Sequence, residues 1–182
     1  RKIHKSGELN QFEKEVAEAL YKIERSDGDI YAELKKIYIS SACRVTLESC
    51  KEAAMIFVPF PLLKIVQRIH SALQRELEKK LDGAQDVFIG ERRILPKPGS
   101  KNRTTGVRPR SRTLTNVYES FLDDLVFPTY IVVKKTRYSV DGARTLRVAL
   151  PKEKQSDCVS RLEGFSTIYR KLTGADVQFL FE

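Results

Sequence analysis

The residues of this chain that are best suited to chemistry are the cationic side chains between positions 92 and 112. This segment contains no Asp or Glu, and it accounts for nearly all of the formal net charge of +9, leaving about +1 for the other 161 residues. Three prolines and two glycines disfavour a regular helix or a central strand here, because proline lacks an N–H donor. The sequence therefore predicts an extended cationic arm that binds a polyanion through Arg92, Arg93, Lys97, Lys101, Arg103, Arg108, Arg110 and Arg112.

Arginine supplies six of the eight cations of the arm, which narrows the kind of polyanion. A planar guanidinium can hold phosphate oxygens through two parallel hydrogen bonds and can stack on unpaired bases. The prolines keep the backbone extended and reduce the entropy lost on docking. Because the arm has no aromatic residue, it lacks the stacking platforms of a single-strand binder. We therefore expect phosphate contacts and recognition of the shape of folded RNA, with little base readout.

Two other uses of the arm stay open at this point, a solubilising loop and a nuclear-import signal. A targeting signal needs neither 21 residues nor three prolines, so RNA binding is the favoured interpretation. If roughly six of the cations neutralise phosphates, the slope of log affinity against log salt should be on the order of −4 to −5.

Three carboxylates follow the arm on the next predicted helix, at Glu119, Asp123 and Asp124. Paired acids can bind Mg²⁺ for phosphodiester cleavage, so a metal-dependent RNA-processing nuclease is the alternative function. Neighbouring residues on a helix point about 100° apart, however, which favours a solvated or arginine-paired face for the two aspartates. Residues 99–101 lack the glycine spacing of a phosphate-binding loop, and no catalytic triad, zinc motif or dinucleotide loop is present. We expect no enzymatic activity and no cofactor.

The cysteines and histidines give no sign of a metal site or a reactive thiol. The three cysteines, Cys43, Cys50 and Cys158, have no C-x-x-C spacing, which is typical of reduced thiols in a cytosolic or nuclear protein. His4 and His70 are interpreted as structural or solvated side chains. No apolar run approaches the roughly 20 residues that cross a bilayer, so we expect a soluble protein. The first residue is Arg1 rather than Met, and any targeting signal before it would not be seen.

Hydrophobic spacing predicts the elements that precede the arm. Apolar residues at helical spacing predict an amphipathic helix over residues 8–24, and a short helix is expected over residues 30–36. A hairpin is expected through residues 49–52. Before it, alternation predicts a strand whose buried face carries Ile37, Ile39, Ser41, Cys43, Val45 and Leu47.

A βαβ unit is predicted to support the arm. Residues 53–58 form an apolar strand, Pro61 opens a helix and Gly83 ends it, and a second strand runs over residues 87–95. The apolar face of the helix carries Leu62, Val66, Ile69, Leu73 and Leu77. Strands joined in this way normally run parallel. The arm therefore leaves from the edge of a rigid sheet.

After the arm, Thr113 or Thr115 can cap a short helix, which the pair Phe127-Pro128 ends. Strands over residues 130–140 and 144–150 form a hairpin through Asp141-Gly142. A last helix starts at Ser156 or Asp157 and ends at Gly174, with its inner face formed by Val159, Leu162, Phe165, Tyr169 and Leu172. A closing strand buries Val177, Phe179 and Phe181.

These elements predict an α+β fold in a single domain over residues 1–182. It would contain a mixed sheet of about six strands with packed helices, one βαβ unit and the basic arm at residues 92–112. An irregular loop as long as the arm is usually functional or disordered inside a compact domain.

Six short strings occur in one order around these elements, namely Phe57-Val58-Pro59, Arg75-Glu76-Leu77-Glu78-Lys79-Lys80, Arg92-Arg93-Ile94-Leu95-Pro96-Lys97-Pro98, Arg108-Pro109-Arg110-Ser111-Arg112-Thr113-Leu114-Thr115, Leu125-Val126-Phe127-Pro128 and Lys171-Leu172-Thr173-Gly174. Together, from about Met55 to Phe181, they closely resemble the eukaryote-specific, e-type family of small-subunit ribosomal protein S-seven. The resemblance implies a structural constituent of the small (40S) ribosomal subunit that binds ribosomal RNA and neighbouring ribosomal proteins. It also implies a part in subunit assembly and RNA processing in the nucleolus, a final place in the cytoplasmic ribosome, and no enzymatic activity.

The resemblance assigns Arg92, Arg93, Lys97, Arg108, Arg110 and Arg112 to the basic arm of the family. Lys101 and Arg103 lie in the middle of the arm, where the family is typically richer in lysine and this chain has Asn102, Thr104, Thr105 and Gly106. Residues 43–54 also lack the glycine run associated with the family.

Overall fold

The helices and strands of this chain build two small sheets. The computed structural model describes residues 2–5, 7–25, 31–47, 52–81, 83–97, 99 and 107–182. Its α-helices are Gln11–Arg25 (α1), Tyr31–Leu34 (α2), Phe60–Lys80 (α3), Leu114–Val126 (α4), Gln155–Cys158 (α5) and Leu162–Thr173 (α6). Its strands are Ser41–Thr46 (β1), Glu52–Pro59 (β2), Gln85–Glu91 (β3), Val133–Tyr138 (β4), Arg144–Leu150 (β5) and Asp176–Phe181 (β6).

The first sheet is built around the βαβ unit that the sequence predicts. β2 and β3 run parallel, with Ala53 opposite Gln85 and Pro59 opposite Glu91, and α3 connects them. Pro61 lies in the first turn of α3, where a missing N–H removes no intrahelical hydrogen bond. β1 pairs antiparallel with β2, so β3 forms the edge from which the arm leaves.

The second sheet consists of a hairpin and one added strand. β4 pairs antiparallel with β5, and β6 runs parallel to β5 on its other side. The hairpin turns through Asp141 and Gly142 as predicted. Gly142 has a φ of 83°, a left-handed conformation that glycine adopts without steric cost. The N–H of Ser139 donates to the carbonyl of Ala143 at 2.9 Å and closes the turn.

Two hydrophobic clusters lie on opposite faces of the first sheet. Phe88 belongs to the cluster formed with α1 and α3, whereas Val87 and Ile89 belong to the other cluster. The second cluster also contains Val148 and Phe165, so α4, α6 and the second sheet pack on that face. Because successive side chains of β3 enter the two clusters in turn, this strand connects the two clusters within one α+β fold.

The predicted α+β class with six strands is confirmed, but the strands are arranged differently. The sequence predicts one mixed sheet, and the structure divides the strands into two sheets of three. After β3 the arm leads into α4, which packs on the face of β3 that carries Val87 and Ile89, so the next strand of the chain does not continue the first sheet.

The predicted strand before the first hairpin is shorter than its alternation suggests. Ile39 forms a bridge with Ile3, and β1 begins only at Ser41, where the chain pairs with β2. Around this change of partner the predicted alternation fails, since Ala42 is buried and Cys43 is exposed, whereas Val45 and Leu47 are buried as predicted. The predicted hairpin at residues 49–52 lies almost wholly outside the described residues.

The last helix is also divided. A 3-10 turn over Val159–Arg161 separates α5 from α6, and its tighter winding leaves Val159 53% exposed, although the sequence places it on the inner face. Gly174 ends α6 with a φ of 72°, as predicted. In the described part of the chain, no helix is both long enough and apolar enough to cross a membrane.

Candidate nucleic-acid interface

The two ends of the arm lie side by side on the folded domain. The N–H of Leu95 donates to the carbonyl of Arg112 at 3.0 Å, which joins the outgoing and returning segments. The returning segment makes one 3-10 turn over Arg110–Arg112, and the carbonyl of Arg110 accepts hydrogen bonds from the hydroxyl of Thr113 (2.7 Å) and the amide of Asn116 (3.2 Å). The described parts of the arm therefore have a fixed base at the start of α4.

An open groove of about 910 Å³ runs along this base. Its wall combines apolar side chains of the outgoing segment with cations from both segments. Glu119 is the carboxylate among its lining residues, which also include the apolar Ile94 and Leu95 and the cations Lys97, Arg108 and Arg110. Both arm segments thus contribute charge to one surface.

The predicted binding residues differ in how available they are. Arg93, Lys97, Arg110 and Arg112 are exposed, and Arg108 is half-buried, with its Nε shielded from solvent and without a hydrogen-bond partner among the described residues. Within the described ranges, none of these five cations forms an ion pair with a carboxylate. The structure does not describe Lys101 and Arg103.

Arg92 is engaged within the protein. Its guanidinium forms an ion pair with Asp124, with Nη1 on Oδ2 and Nη2 on Oδ1 (3.1 Å), and Nη1 also donates to the carbonyl of Gly90 at 3.2 Å. The side chains of Arg92 and Asp124 are only 14% and 5% exposed, and the guanidinium lies over the ring of Phe60. Asp124 Oδ2 also accepts the N–H of Gly90 at 3.0 Å. This arrangement holds the first residue of the arm against α4.

The carboxylates considered for a metal site do not converge. Asp124 is buried against Arg92, whereas Asp123 is exposed and pairs with Lys134 at 2.9 Å. The predicted arginine-paired or solvated face for the two aspartates is confirmed. Among the described residues, no group of three His, Cys, Asp or Glu side chains is placed to hold a metal ion.

The histidine and cysteine side chains in the described part of the chain show no sign of a catalytic or metal-binding role. His70 is buried and packs edge-on against Phe88 and Phe127, and burial lowers its pKa to about 4, with a smaller contribution from Arg161. It is therefore neutral at physiological pH. Cys43 and Cys158 are free thiols, and the buried Cys158 contacts the hydroxyl of Thr129 at 3.2 Å.

Sequence reasoning missed a second cationic surface, on β4 and β5. Residues 130–154 contain seven cations and two carboxylates, and a charge count in short windows would have revealed this excess. The total charge of the chain hides this excess, because the three carboxylates of α4 offset much of it.

The fold and the site define an α+β protein that exposes unpaired cations on an arm with an anchored base. The family model described as Ribosomal protein S7e matches residues 1–181. "Small ribosomal subunit protein eS7" of Manduca sexta is 44% identical over 99% of this chain and 96% of that protein. The protein of the same name from Schizosaccharomyces pombe is 46% identical over 91% of this chain and 85% of that protein, and "Small ribosomal subunit protein eS7z" of Arabidopsis thaliana is 41% identical over 99% and 94%.

The chain belongs to the ribosomal protein S7e family of the small ribosomal subunit. The resemblance noted in the sequence is thereby confirmed, and the family match also covers the residues before Met55, where the resemblance is weaker. The relatives are structural ribosomal proteins and not enzymes, so the expectation of a non-enzymatic protein is confirmed as well.

Proposed function

We propose that this chain is a structural constituent of the small ribosomal subunit that binds ribosomal RNA through the arm at residues 92–112. The main observation behind this proposal is that five cations lie on one anchored base and have no carboxylate partner in the described part of the chain. They are Arg93, Lys97, Arg108, Arg110 and Arg112. Because hydrogen bonds hold the backbone of this base, binding of its unpaired cations to phosphates costs less backbone entropy. Lys101 and Arg103 extend the same charge along the middle of the arm.

The eight cations have two roles in this proposal. Arg92 positions the arm, because its guanidinium is already used by Asp124 and Gly90. The other seven contact phosphate oxygens, with the guanidinium groups able to form two parallel hydrogen bonds each. Since phosphate contacts carry no direct sequence information, the arm recognises the fold of the RNA.

The wider biology follows from membership of a ribosomal family and belongs to the same proposal. Residues 1–182 act as one domain that binds ribosomal RNA and neighbouring small-subunit proteins. The chain joins the subunit during its assembly and RNA processing in the nucleolus, and it then remains in the cytoplasmic ribosome. A metal-dependent nuclease is not favoured, because Asp123 and Asp124 are held apart in ion pairs with different cations.

Sedimentation of the tagged chain in a sucrose gradient tests this function. The wild-type chain is expected with the small subunit at moderate salt. A variant with Arg93, Lys97, Arg108, Arg110 and Arg112 all changed to Gln (the arm variant) should shift toward the top of the gradient. The matched control changes five exposed cations of the N-terminal region, Lys14, Lys22, Arg25, Lys35 and Lys36, to Gln and should stay with the subunit. A wild-type chain absent from the small subunit would refute the proposal.

A second comparison separates RNA binding from nuclear import. If the arm served only for import, the arm variant would keep the wild-type affinity for transcribed small-subunit ribosomal RNA in vitro. We expect a large loss of affinity instead.

A further inference from the structure

The outer face of the second sheet carries cations in adjacent strands. Leu146 and Val148 of β5 pack into the hydrophobic cluster shared with α4 and α6, so the alternate residues of β5 face away from it. The strand register places Arg137 opposite Thr145 and Lys135 opposite Arg147 on this outward face. Gln178 of β6 lies opposite Arg147 on the other side. We call Lys135, Arg137 and Arg147 the hairpin face.

Lys135 and Arg147 form an unfavourable pair in the isolated protein. Side chains directly opposite in an antiparallel pair lie about 4.5–5.5 Å apart at Cβ, and like charges there are destabilising. The neighbour across the next ladder, Gln178, supplies no negative charge. The arrangement therefore places two positive charges together where a negatively charged partner would relieve their repulsion.

Little compensation comes from the carboxylates nearby. Glu182 approaches Lys135 at 3.6 Å, but both side chains are more than half exposed, so this contact contributes little. Asp176 pairs with Arg170 at 3.4 Å. In the described ranges, Arg137 and Arg147 have no ion pair, and the Nε of Arg147 is shielded from solvent without a hydrogen-bond partner.

The surrounding hairpin has the same sign of charge. Residues 130–154 carry a net +5, whereas residues 1–91 are neutral overall. Lys134 is not available to a partner on this face, because it lies on the opposite face of the strand and pairs with Asp123. The hairpin face is thus the uncompensated part of a locally cationic element.

We propose that the hairpin face is a second phosphate-binding surface, separate from the arm, which contacts the backbone of the same RNA. This inference rests on the proposed function, because it adds a second contact to an RNA-binding protein. Lys135 and Arg137 are two residues apart on one strand, about 7 Å along it, and Arg147 widens the surface to the next strand. Such a flat, extended array fits a nucleic-acid backbone, for which phosphate contacts fix the register of the protein.

Charged residues on an exposed edge strand have another known use, since lysine on an edge strand discourages pairing with a second chain. That use explains Lys135 and Arg137 on β4 but not Arg147, because β5 is the central strand of its sheet. The cross-strand arrangement is therefore better explained by a polyanionic partner.

The test measures the affinity of the full-length chain for transcribed small-subunit ribosomal RNA at several salt concentrations. The face variant changes Lys135, Arg137 and Arg147 to Gln, and its matched control changes Lys14, Lys22 and Lys36 to Gln. Both remove three formal charges. The face variant should bind roughly tenfold or more weakly, with a log–log salt slope smaller in magnitude by about 2 to 3. The control should match the wild type, and the melting temperature of the face variant should not fall below that of the wild type.

The outcomes distinguish this inference from the proposed function. If the arm variant loses affinity while the face variant behaves as its control does, the arm binds RNA and the hairpin face does not. If the face variant keeps RNA affinity but no longer enters the small subunit, the face contacts a ribosomal protein and the inference is overturned. If neither variant changes RNA affinity, both proposals are wrong.

Discussion

Arg92 and Asp124 form an ion pair that joins the first residue of the arm to the last turns of α4, 32 positions later in the chain. Asp124 also accepts the N–H of Gly90, so one carboxylate holds the end of β3 and the start of the arm together. The segment that carries the exposed cations of the arm therefore starts at a fixed position on the domain. We therefore expect Arg92 and Asp124 to position the RNA-binding residues without contacting RNA.

Replacing Asp124 with Asn should destabilise the fold. The substitution keeps the size of the side chain and one acceptor oxygen, but it leaves the Arg92 charge largely buried without a counter-charge. We expect a loss of about 2–4 kcal/mol in the free energy of unfolding, measured by urea titration.

Asp123→Asn is the matched control for that experiment. Asp123 is 61% exposed in its pair with Lys134, and exposed pairs contribute at most about 1 kcal/mol. Equal losses for the two substitutions would contradict the anchoring role of Asp124.

Replacing Gly90 with Ala should disturb the contacts between Arg92 and Asp124 by steric crowding alone. A Cβ at this position would lie 2.9 Å from Nη1 of Arg92, 3.0 Å from Cδ2 of Leu63 and 3.2 Å from Oδ2 of Asp124. Because these groups are already packed or paired, we expect a destabilisation of about 1–3 kcal/mol and a weaker affinity for ribosomal RNA.

The control for the Gly90 prediction is Gly7→Ala, since a Cβ at Gly7 would meet no atom within 4 Å. Thermal unfolding of both variants gives the comparison. A Gly90→Ala protein as stable as the wild type would show that the anchor accommodates the added methyl group.

Asp86 should make the stability of the protein depend on pH. Burial, together with the nearby charge of Glu78, raises the pKa of this carboxyl to about 7, although Arg161 partly opposes the shift. Neither carboxyl oxygen has a hydrogen-bond partner among the described residues. Because the folded pKa exceeds the unfolded value of 3.8, the contribution of Asp86 to stability is full below about pH 4 and is lost as pH rises to about 7.

Asp86→Asn removes this titration. Between pH 5 and pH 8, the stability of the variant relative to the wild type should rise by about 2–3 kcal/mol, as measured by urea unfolding at both pH values. Taking the difference between variant and wild type cancels the opposite pH dependence of His70. A difference that does not change with pH would mean that Asp86 titrates normally in the folded protein.

The fold was predictable where local signals are strong. Pro61 and the apolar face of α3 mark the βαβ unit, and Asp141-Gly142 marks the hairpin, because turn chemistry and helical spacing act over a few residues. The division into two sheets was not predictable, since it depends on α4 covering β3, which is a tertiary contact.

The site was predictable in composition but not in the role of each residue. The charge of residues 92–112 is evident from the sequence, yet nothing local distinguishes Arg92 from Arg93. Only the distant Asp124 does so. The pairing of Lys135 with Arg147 could not be found from the sequence, because a two-residue turn at Asp141-Gly142 would place Lys135 opposite Val148. The turn also includes Val140, which shifts the register by one residue.

The salt dependence of binding to transcribed small-subunit ribosomal RNA tests the central claim most directly. The wild-type chain should show a log–log slope on the order of −5 to −6 from the seven arm contacts, and a steeper one if the hairpin face also contacts the RNA. The arm variant should show a slope smaller in magnitude by about 3.5 to 4.5, because it loses five phosphate contacts and the counterion release that goes with them. Its matched control should stay close to the wild type. An arm variant with the wild-type slope and affinity would contradict the claim that the arm binds the RNA.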